Sequence, residues 1–231
     1  MNNQIGTLYI VATPIGNMED MTFRGIRILK EVDLILCEDT RMTGKLLVKY
    51  EIKNKTMSYH AHSTKNKENV IIEFLREGKN IALVSDAGTP CISDPGVMLV
   101  NSVYEEFKDQ AVVVPIPGPS ALISALSASG VSCANFTFLG FLPHKKGRET
   151  IFNKINESEY ACIFYESTHR LLKALFSLQE ILEKDRMVVV AREITKKFEE
   201  IKRGNAKEIY DFFEQNKIKQ KGEFVIIVDK K

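Results

Sequence analysis

The stretch Asn80–Gly96, NIALVSDAGTPCISDPG, joins a short apolar run to a loop of unusual composition. The run Asn80–Asp86 is typical of a strand that is buried on both faces of a sheet. The loop after it, Ser85–Gly96, holds two Gly, two Pro and two Asp within twelve residues. A plain turn rarely needs so many special backbone conformations. The stretch therefore indicates an open α/β sheet in which this strand ends at a ligand site.

Apolar runs alternate with helix-like segments through the rest of the first half of the chain. Helical periodicity covers residues 22–32, a segment ending near residue 50, and residues 66–77. Strands joined by helices of this length need right-handed crossovers, which predicts a parallel sheet covered on both faces. The other predicted strands of this half are Thr7–Thr13, Asp33–Glu38, Thr56–Ala61 and Ala111–Ile116.

A Pro-Gly-Pro turn at Pro117–Pro119 interrupts this alternation, so we expect two domains, 1–116 and 117–231. Helices are predicted to begin near residues 147, 168 and 205 in the second half. Two strands follow one another closely around Lys196, so its sheet is predicted to be mixed. The fold class expected is α/β with two domains. The predicted strands of the second half are Phe136–Phe141, Tyr160–Glu166, Met187–Glu193, Glu199–Lys202 and Glu223–Asp229.

The composition is that of a soluble globular protein, with 44% hydrophobic and 27% charged residues in a chain of 231. A net charge of +2 is too small to indicate nucleic-acid binding by itself, so any basic surface must be a local patch. The four cysteines lack the spacing of a metal or redox motif, and we expect free thiols and no metal. No signal peptide and no membrane span is predicted, which favours a cytoplasmic protein.

Three more loops follow predicted strands, and each has a structural alternative. Thr13–Asn17, TPIGN, is either a ligand loop or an ordinary strand-to-helix turn. Cys37–Arg41, CEDTR, either holds ribose hydroxyls or caps a helix with Asp39 or Thr40. Pro117–Ala121, PGPSA, either approaches a ligand or forms a hinge with a helix cap. The central loop lacks the Lys of a phosphate-binding P-loop, which disfavours a nucleoside triphosphatase.

The series TPIGN, CEDTR, SDAGTPCISDPG, PGPSA, GFLP, FYESTHR, REITK and KGEFVIIV runs in order from Gly6 to about Val228. It resembles the tetrapyrrole-methylase superfamily, in the branch that methylates a ribose 2′-hydroxyl in small-subunit ribosomal RNA. The resemblance implies two domains with S-adenosylmethionine in the cleft between them, and a homodimer. It also implies a cytidine of 16S ribosomal RNA in the 30S subunit as substrate, with no DNA or membrane partner.

The resemblance further implies which residues contact the cofactor. Many of these contacts would come from the backbone, because the residues are small. The implied cofactor residues are Pro14, Asp86, Gly88, Thr89, Ile92, Ser120, Ala121, Tyr165, Ala191 and Gly222.

Methyl transfer to a ribose hydroxyl limits the choice of catalytic residues. The hydroxyl is a weak acid and needs a positioned base or a cation that lowers its pKa. Glu193, Lys196 and Asp39 are the candidates, chosen from a motif set that also holds Glu38, Glu166 and Arg192. The alternative is that these charged residues pair with one another in a structural network.

Cations in three motifs are candidates for RNA binding. The alternative is that these cations lie on a solvated surface or pair with the acidic residues of the motifs in a structural network. Members of the family that the chain resembles often carry a helical extension after the last strand. The RNA contacts of that extension would here come from the basic cluster Lys217–Lys221 or from a partner subunit. His60 and His62 lie on one face of a strand, where hydrogen bonding is favoured over metal binding. The RNA-binding candidates are Arg41, Lys145, Lys146, Arg148, His169 and Arg170.

Two rival functions remain open from the sequence. One is a sister enzyme that methylates a porphyrinoid carbon, or the modified histidine of a translation factor. The cations of ESTHR, REITK and HKKGR argue against it, because a tetrapyrrole pocket should be more apolar. The other is a ribosome-binding module that binds the cofactor without transferring a methyl group.

Overall fold

The computed structural model describes residues 4–60 and 63–231. The chain divides into two compact units, unit 1 ending at Ser120 and unit 2 beginning at Ala121. The domain boundary expected after residue 116 lies in the same loop as this division, and the two domains themselves stay a prediction. The predicted end of the third strand at Ala61 and the predicted role of His62 lie outside the described residues.

Unit 1 alternates strands and helices as the apolar pattern predicted. Thr22 caps the first helix by accepting a hydrogen bond from the Gly25 N–H at 3.0 Å, so the helix begins one residue later than the pattern suggested. The elements are β1 (Leu8–Val11), α1 (Phe23–Glu31), β2 (Leu34–Cys37), α2 (Thr40–Lys49), β3 (Thr56–Ser58), α3 (Lys65–Arg76), β4 (Ile81–Val84), α4 (Val97–Phe107) and β5 (Val113–Ile116).

The sheet of unit 1 has the strand order β3-β2-β4-β1-β5, and every pair of neighbouring strands is parallel. This confirms the predicted parallel sheet. Helices α1 and α2 pack on one face against Val11, Ile35 and Val84. Helices α3 and α4 pack on the other face against Leu8 and Leu83, among others. Both faces are covered, which explains the near-continuous apolar character of β4.

The strand order creates a switch point between β2 and β4. After β2 the chain crosses outward to β3, on the face covered by α2. After β4 it crosses the other way, past β1 to β5, on the face covered by α4. The loops that follow these two adjacent strands therefore leave in opposite directions. In open α/β sheets this is the position at which ligands bind.

Unit 2 has a five-stranded sheet in the order β6-β7-β10-β8-β9. Strands β6 and β7 are parallel, and the other neighbouring pairs are antiparallel, which confirms the predicted mixed sheet. The strand predicted at Glu199–Lys202 is longer than expected. The elements are α5 (Ala121–Ser129), β6 (Phe136–Phe141), α6 (Arg148–Asn156), β7 (Ala161–Ser167), α7 (Leu171–Ile181), β8 (Met187–Arg192), β9 (Glu200–Asn205), α8 (Ala206–Gln215) and β10 (Glu223–Val228).

Alternation along the strands of unit 2 divides its core into two layers. Helices α6, α7 and α8 cover the face that carries Phe164, Val190 and Ile226. Helix α5 covers the opposite face, which carries Val189 and Ile227. Neighbouring residues of each strand thus face different helices, as the two-residue period of a strand requires. Within the described ranges, no helix is long and apolar enough to cross a membrane.

Candidate functional site

The loops after β1, β4 and β5 are joined by hydrogen bonds at the carboxyl edge of the unit 1 sheet. The main chains of Thr13 and Gly88 bond to each other in both directions, at 2.9 and 3.0 Å. The Thr13 hydroxyl donates to the Ser85 carbonyl at 3.0 Å. The Thr89 hydroxyl donates to the Pro119 carbonyl at 3.2 Å. Three of the predicted ligand loops therefore form one connected surface.

Gly88 allows the close approach of these loops. Its φ of +83° lies in the left-handed region, and a Cβ there would come within 3.4 Å of the Ile15 side chain. The Ser85 hydroxyl donates to the Gly88 carbonyl at 3.2 Å and so stabilises the turn formed by residues 85–88. A residue with a side chain would strain the backbone at this φ, whereas its Cβ would make only an ordinary contact with Ile15. The positive φ of residue 88 thus explains why a glycine stands two residues after Asp86.

The loop after β2 meets the central loop across the switch point. The Asp39 N–H donates to Asp86 Oδ1 at 3.1 Å. The Asp39 side chain caps α2 by accepting the Arg41 N–H at 2.8 Å, and its carboxylate also pairs with the Arg41 guanidinium at 2.6 Å. These bonds with Arg41 lower the pKa of Asp39 to about 2. The structural alternative for Asp39, a helix cap paired with Arg41, is therefore present, and Arg41 itself is exposed.

Three carboxylates gather at this edge, and the sequence did not single out Asp94 among them. Burial raises the pKa of Asp94 to about 6, and the nearby charges of Glu38 and Asp86 add to the effect. Burial also raises the pKa of Glu38, with Asp86 contributing. The Asp94 position was visible in the sequence as the second Asp of the central loop. Its proximity to Glu38 was not, because it depends on the pairing of β2 with β4.

Two of the candidate cofactor residues of unit 2, Tyr165 and Ala191, lie on the strands that flank β10, and Ala121 is the first residue of α5. Tyr165 on β7 and Ala191 on β8 both pair with Val225 of β10, so the three residues form one row across the sheet. The row lies on the face that packs against α5. The Tyr165 ring makes edge contacts with Phe138 and Phe141, at centroid distances of 5.1 and 5.3 Å.

Gly222 precedes β10 and lies against the turn that follows β8. Its φ is +125°, and a Cβ there would come within 2.7 Å of Glu193 Cγ. The Thr168 hydroxyl donates to the Gly222 carbonyl and accepts the Gly222 N–H, both at 2.9 Å. The packing of unit 2 therefore requires a glycine at position 222, and this requirement does not depend on cofactor binding.

Glu193 and Lys196 form an ion pair in the turn between β8 and β9. Lys196 Nζ donates to Glu193 Oε1 at 3.0 Å and to Glu223 Oε2 at 2.8 Å. Burial favours a lower pKa for Lys196, but its bonds to these carboxylates outweigh that effect and raise the pKa. Burial favours a higher pKa for Glu193, but the Glu223 N–H and Lys196 outweigh it and lower the pKa. Both groups are thus held in their charged forms.

Arg148 and Arg170 neutralise the buried carboxylate of Glu166. Arg148 Nη2 lies 3.2 Å from Glu166 Oε2, and Arg170 Nε lies 2.7 Å from Oε1. The same arginines donate to the carbonyls of Pro143, at 3.2 Å, and Leu142, at 2.8 Å. This network supports the structural alternative for both arginines, and their contacts with RNA stay predictions. Lys145, Lys146 and His169 are exposed.

Comparison with known proteins identifies the family of this chain. A family model described as Tetrapyrrole (Corrin/Porphyrin) Methylases matches residues 7–210. The ribosomal RNA small subunit methyltransferase I of Pasteurella multocida is 46% identical over 232 residues, covering 100% of this chain and 82% of that protein. The protein of the same name from Bacillus subtilis is also 46% identical, covering 98% of this chain and 76% of the relative. The chain belongs to the tetrapyrrole methylases, in their ribosomal RNA small subunit methyltransferase I branch.

Solved structures of tetrapyrrole methylases share the fold of this family member. A cobalt precorrin-4 methyltransferase matches with a TM-score of 0.66 at 18% identity, covering 96% of this chain and 94% of the other. A uroporphyrin-III C-methyltransferase from Thermus thermophilus matches with a TM-score of 0.62 at 16% identity, covering 97% and 94%. These likenesses confirm the predicted fold class and show the fold alone.

Proposed function

We propose that this chain transfers a methyl group from S-adenosylmethionine to the ribose 2′-hydroxyl of a cytidine in 16S ribosomal RNA. The observation that carries the proposal is the 46% identity over the whole chain to a ribosomal RNA small subunit methyltransferase I. The porphyrinoid enzymes that share the fold are 18% and 16% identical, which does not favour a tetrapyrrole substrate.

The acidic edge of unit 1 fits the net positive charge of S-adenosylmethionine, which carries a sulfonium, an ammonium and one carboxylate group. Asp86 is exposed, and its carboxylate accepts one main-chain N–H, which leaves lone pairs for ligand hydroxyls or amines. Gly88 adds no side chain beside it. We therefore expect the cofactor to meet Pro14, Asp86, Gly88, Thr89, Ile92 and Ser120 of unit 1, and Ala121, Tyr165, Ala191 and Gly222 of unit 2.

The bound cofactor supplies an electrophilic methyl group, and the residues of this chain must prepare the hydroxyl. Lys196 is held as an ammonium by Glu193 and Glu223, so it suits the stabilisation of a developing alkoxide better than proton abstraction. Glu193 and Asp39 have lowered pKa values and are weak bases. We infer that Lys196 acts on the hydroxyl as a cation, with Glu193 or Asp39 accepting the proton late in the transfer.

Exchanging Lys196 tests this role. Lys196→Arg keeps the charge, whereas Lys196→Gln removes it and keeps much of the side-chain length. We expect Lys196→Gln to lower kcat for RNA methylation by about 100-fold or more, with cofactor affinity retained, and Lys196→Arg to recover part of the loss. Equal loss in both variants, or a weakened cofactor affinity in both, would contradict an electrostatic role.

The RNA contacts proposed from the motifs fall into two groups. Arg41, Lys145, Lys146 and His169 are exposed and available to phosphates. Arg148 and Arg170 are tied to Glu166, so we propose that they act by holding the loop that carries Lys145 and Lys146. We also propose that the substrate is the RNA within 30S subunits, that the enzyme is a homodimer, and that it works in the cytoplasm.

Methyl transfer from radiolabelled S-adenosylmethionine tests the whole proposal. The substrates are 30S subunits, naked 16S ribosomal RNA and a porphyrinogen. We expect label in 30S RNA at one ribose that resists alkaline cleavage, because a 2′-O-methyl group removes the nucleophile. Label in the porphyrinogen alone would move the chain to a sister activity. Cofactor binding without transfer to any substrate would indicate the ribosome-binding module.

A further inference from the structure

Two segments of unit 2 that are distant in sequence lie side by side on its surface. They are the turn 193–199 between β8 and β9, and residues 217–221 before β10. Arg192 joins them, because its Nε donates to the Lys221 carbonyl at 2.8 Å and its Nη1 donates to the Phe198 carbonyl at 3.0 Å. Lys219 of the second segment also pairs, at 2.5 Å, with Oε1 of Glu200, the first residue of β9 and the one that directly follows the turn. We call the exposed side chains Lys197, Phe198, Lys217, Ile218 and Lys221 the basic platform.

The lysines of the basic platform carry charge that the protein does not neutralise. Lys197, Lys217 and Lys221 are exposed, and no carboxylate within the described ranges pairs with them. The neighbouring acids are already engaged. Lys196 holds Glu193 and Glu223, Lys219 holds Glu200, and the Thr195 N–H donates to Glu199.

The basic platform also exposes two apolar side chains beside this charge. Phe198 is 62% exposed and Ile218 is 78% exposed. The ammonium of Lys197 lies 5.7 Å from the centre of the Phe198 ring. Proteins that bind single-stranded nucleic acid place an exposed aromatic ring, on which a base stacks, next to cations that hold the backbone.

We propose that the basic platform binds single-stranded RNA, with phosphates on Lys197, Lys217 and Lys221 and a base stacked on Phe198. The inference rests on the proposed function, since it adds a contact surface for the same ribosomal substrate. The charge favours RNA over an apolar protein partner, because three unpaired ammonium groups would be desolvated against such a partner without compensation.

Salt dependence of RNA binding tests the phosphate contacts. The probe is a fluorescein-labelled 20-nucleotide oligocytidylate RNA, titrated with the full chain at several salt concentrations and followed by anisotropy. For single strands, each phosphate contact contributes about 0.7 to the slope of log K against log salt. Replacing Lys197, Lys217 and Lys221 by Gln should therefore reduce the slope by about 2. The matched control replaces Lys154, Lys173 and Lys184 of the same unit by Gln and should leave the slope unchanged.

Substitutions of Phe198 test the stacking contact. Phe198→Ala and Phe198→Leu should weaken oligocytidylate binding about fivefold or more, since both remove the aromatic face. Phe198→Tyr keeps the ring and should bind as the unsubstituted chain does. Phe23 is 94% exposed on unit 1, and Phe23→Ala is the control. Circular dichroism of every variant shows whether the fold is retained.

The outcomes separate this inference from the proposed function. If the lysine and Phe198 variants bind oligocytidylate as tightly and with the same slope as their controls, the basic platform does not bind RNA. The inference also fails if light scattering shows that the variants lose self-association while RNA binding is unchanged, because the surface then joins copies of the chain. If the unsubstituted chain binds RNA through the platform but methylates no 30S subunits, the proposed function fails alone.

Discussion

Glu166 is a carboxylate without access to solvent, and its two oxygens are divided between two arginines. Arg148 precedes the motif ESTHR in the sequence and Arg170 is its last residue, and the two arginines also donate to the carbonyls of Pro143 and Leu142. One residue therefore sets the position of the loop between β6 and α6. The motifs ESTHR and GFLPHKKGR, separate in sequence, are a single structural unit around this carboxylate.

Neutralising Glu166 should destabilise unit 2. In Glu166→Gln the buried Arg148 and the partly buried Arg170 lose their counter-charge, which costs about 3 kcal/mol. Urea unfolding followed by circular dichroism measures the loss. Glu157→Gln removes an exposed partner of Lys231 and should change stability little. Equal effects of the two substitutions would mean that the buried pair contributes no more than a surface pair.

Asp94 should make unit 1 less stable as the pH rises. Its pKa is about 6 in the folded chain and near 3.8 ordinarily, so between these values the unfolded chain releases the proton while the folded chain keeps it. The folded state then binds more protons, and the free energy of unfolding falls as the pH rises from about 4 to 6. Because Asp94 is half-buried, solvent screens part of the effect, and we expect about 1 kcal/mol.

Thermal unfolding of Asp94→Asn between pH 4 and 7 measures this contribution. The variant should gain about 1 kcal/mol at pH 7 and show a flatter profile than the unsubstituted chain. Asp109→Asn makes the same chemical change at an exposed position of unit 1 and serves as the reference. A loss of stability in Asp94→Asn at pH 7 would show that the charged carboxylate stabilises the loop instead.

At the scale of elements, the same substitution should have opposite effects in a loop and in a helix. Gly96, before α4, has a φ of +129°, and a Cβ there would lie 2.6 Å from Cys91 Sγ and Leu83 Cδ2. Gly44 lies inside α2, and a Cβ there would meet nothing within 4 Å apart from its chain neighbours and the backbone of its own helix. Gly96→Ala should cost more than about 1 kcal/mol, and Gly44→Ala should gain about 0.5–1 kcal/mol.

Chemical denaturation of the two alanine variants checks this contrast. The expectation for Gly96 depends on the strain of the central loop, where Cys91 and Ser93 also have positive φ values. If Gly96→Ala is neutral, the loop has an alternative conformation of similar energy. If Gly44→Ala fails to stabilise, the gain in helix propensity is offset elsewhere in α2.

Most elements could be predicted because each one carries its own pattern. The strand Phe136–Phe141 was predicted with its observed bounds, and Thr22 was visible as a helix start. Strand β9 was predicted too short, because Arg203, Gly204 and Asn205 carry no apolar pattern of their own and their pairing partners lie on β8. Strand order could not be predicted, since it depends on which distant strands pair.

In the candidate site, the loops could be predicted from the sequence, but the partners of the charged side chains could not. The glycines and prolines that permit close loop approach were visible, because a special backbone conformation restricts the residue types at its own position. The burial of Arg148 and the clustering of Glu38 with Asp94 were not visible, because each depends on a partner from another element.

At the scale of the whole molecule, we expect the two compact units to respond separately to mutation. Their cores consist of different clusters of buried residues. Glu166→Gln should therefore accelerate amide hydrogen exchange in residues 121–231, and Gly96→Ala in residues up to 120. Mass spectrometry of peptic fragments after exchange distinguishes the two. Faster exchange throughout the chain in both variants would mean that the units unfold as one cooperative body.

Strand β10 follows every other strand of unit 2 in the chain, yet it lies in the middle of the sheet, between β7 and β8. During translation both of those strands leave the ribosome with unpaired inner edges. These edges can pair with β10 only after the residues between Arg192 and Glu223 have been added, which takes on the order of a few seconds at about 5–20 residues per second. Unit 1, with its sheet already synthesised, can fold in that time. The nascent chain is thus most exposed to aggregation, and most in need of a chaperone, just before its central strand arrives.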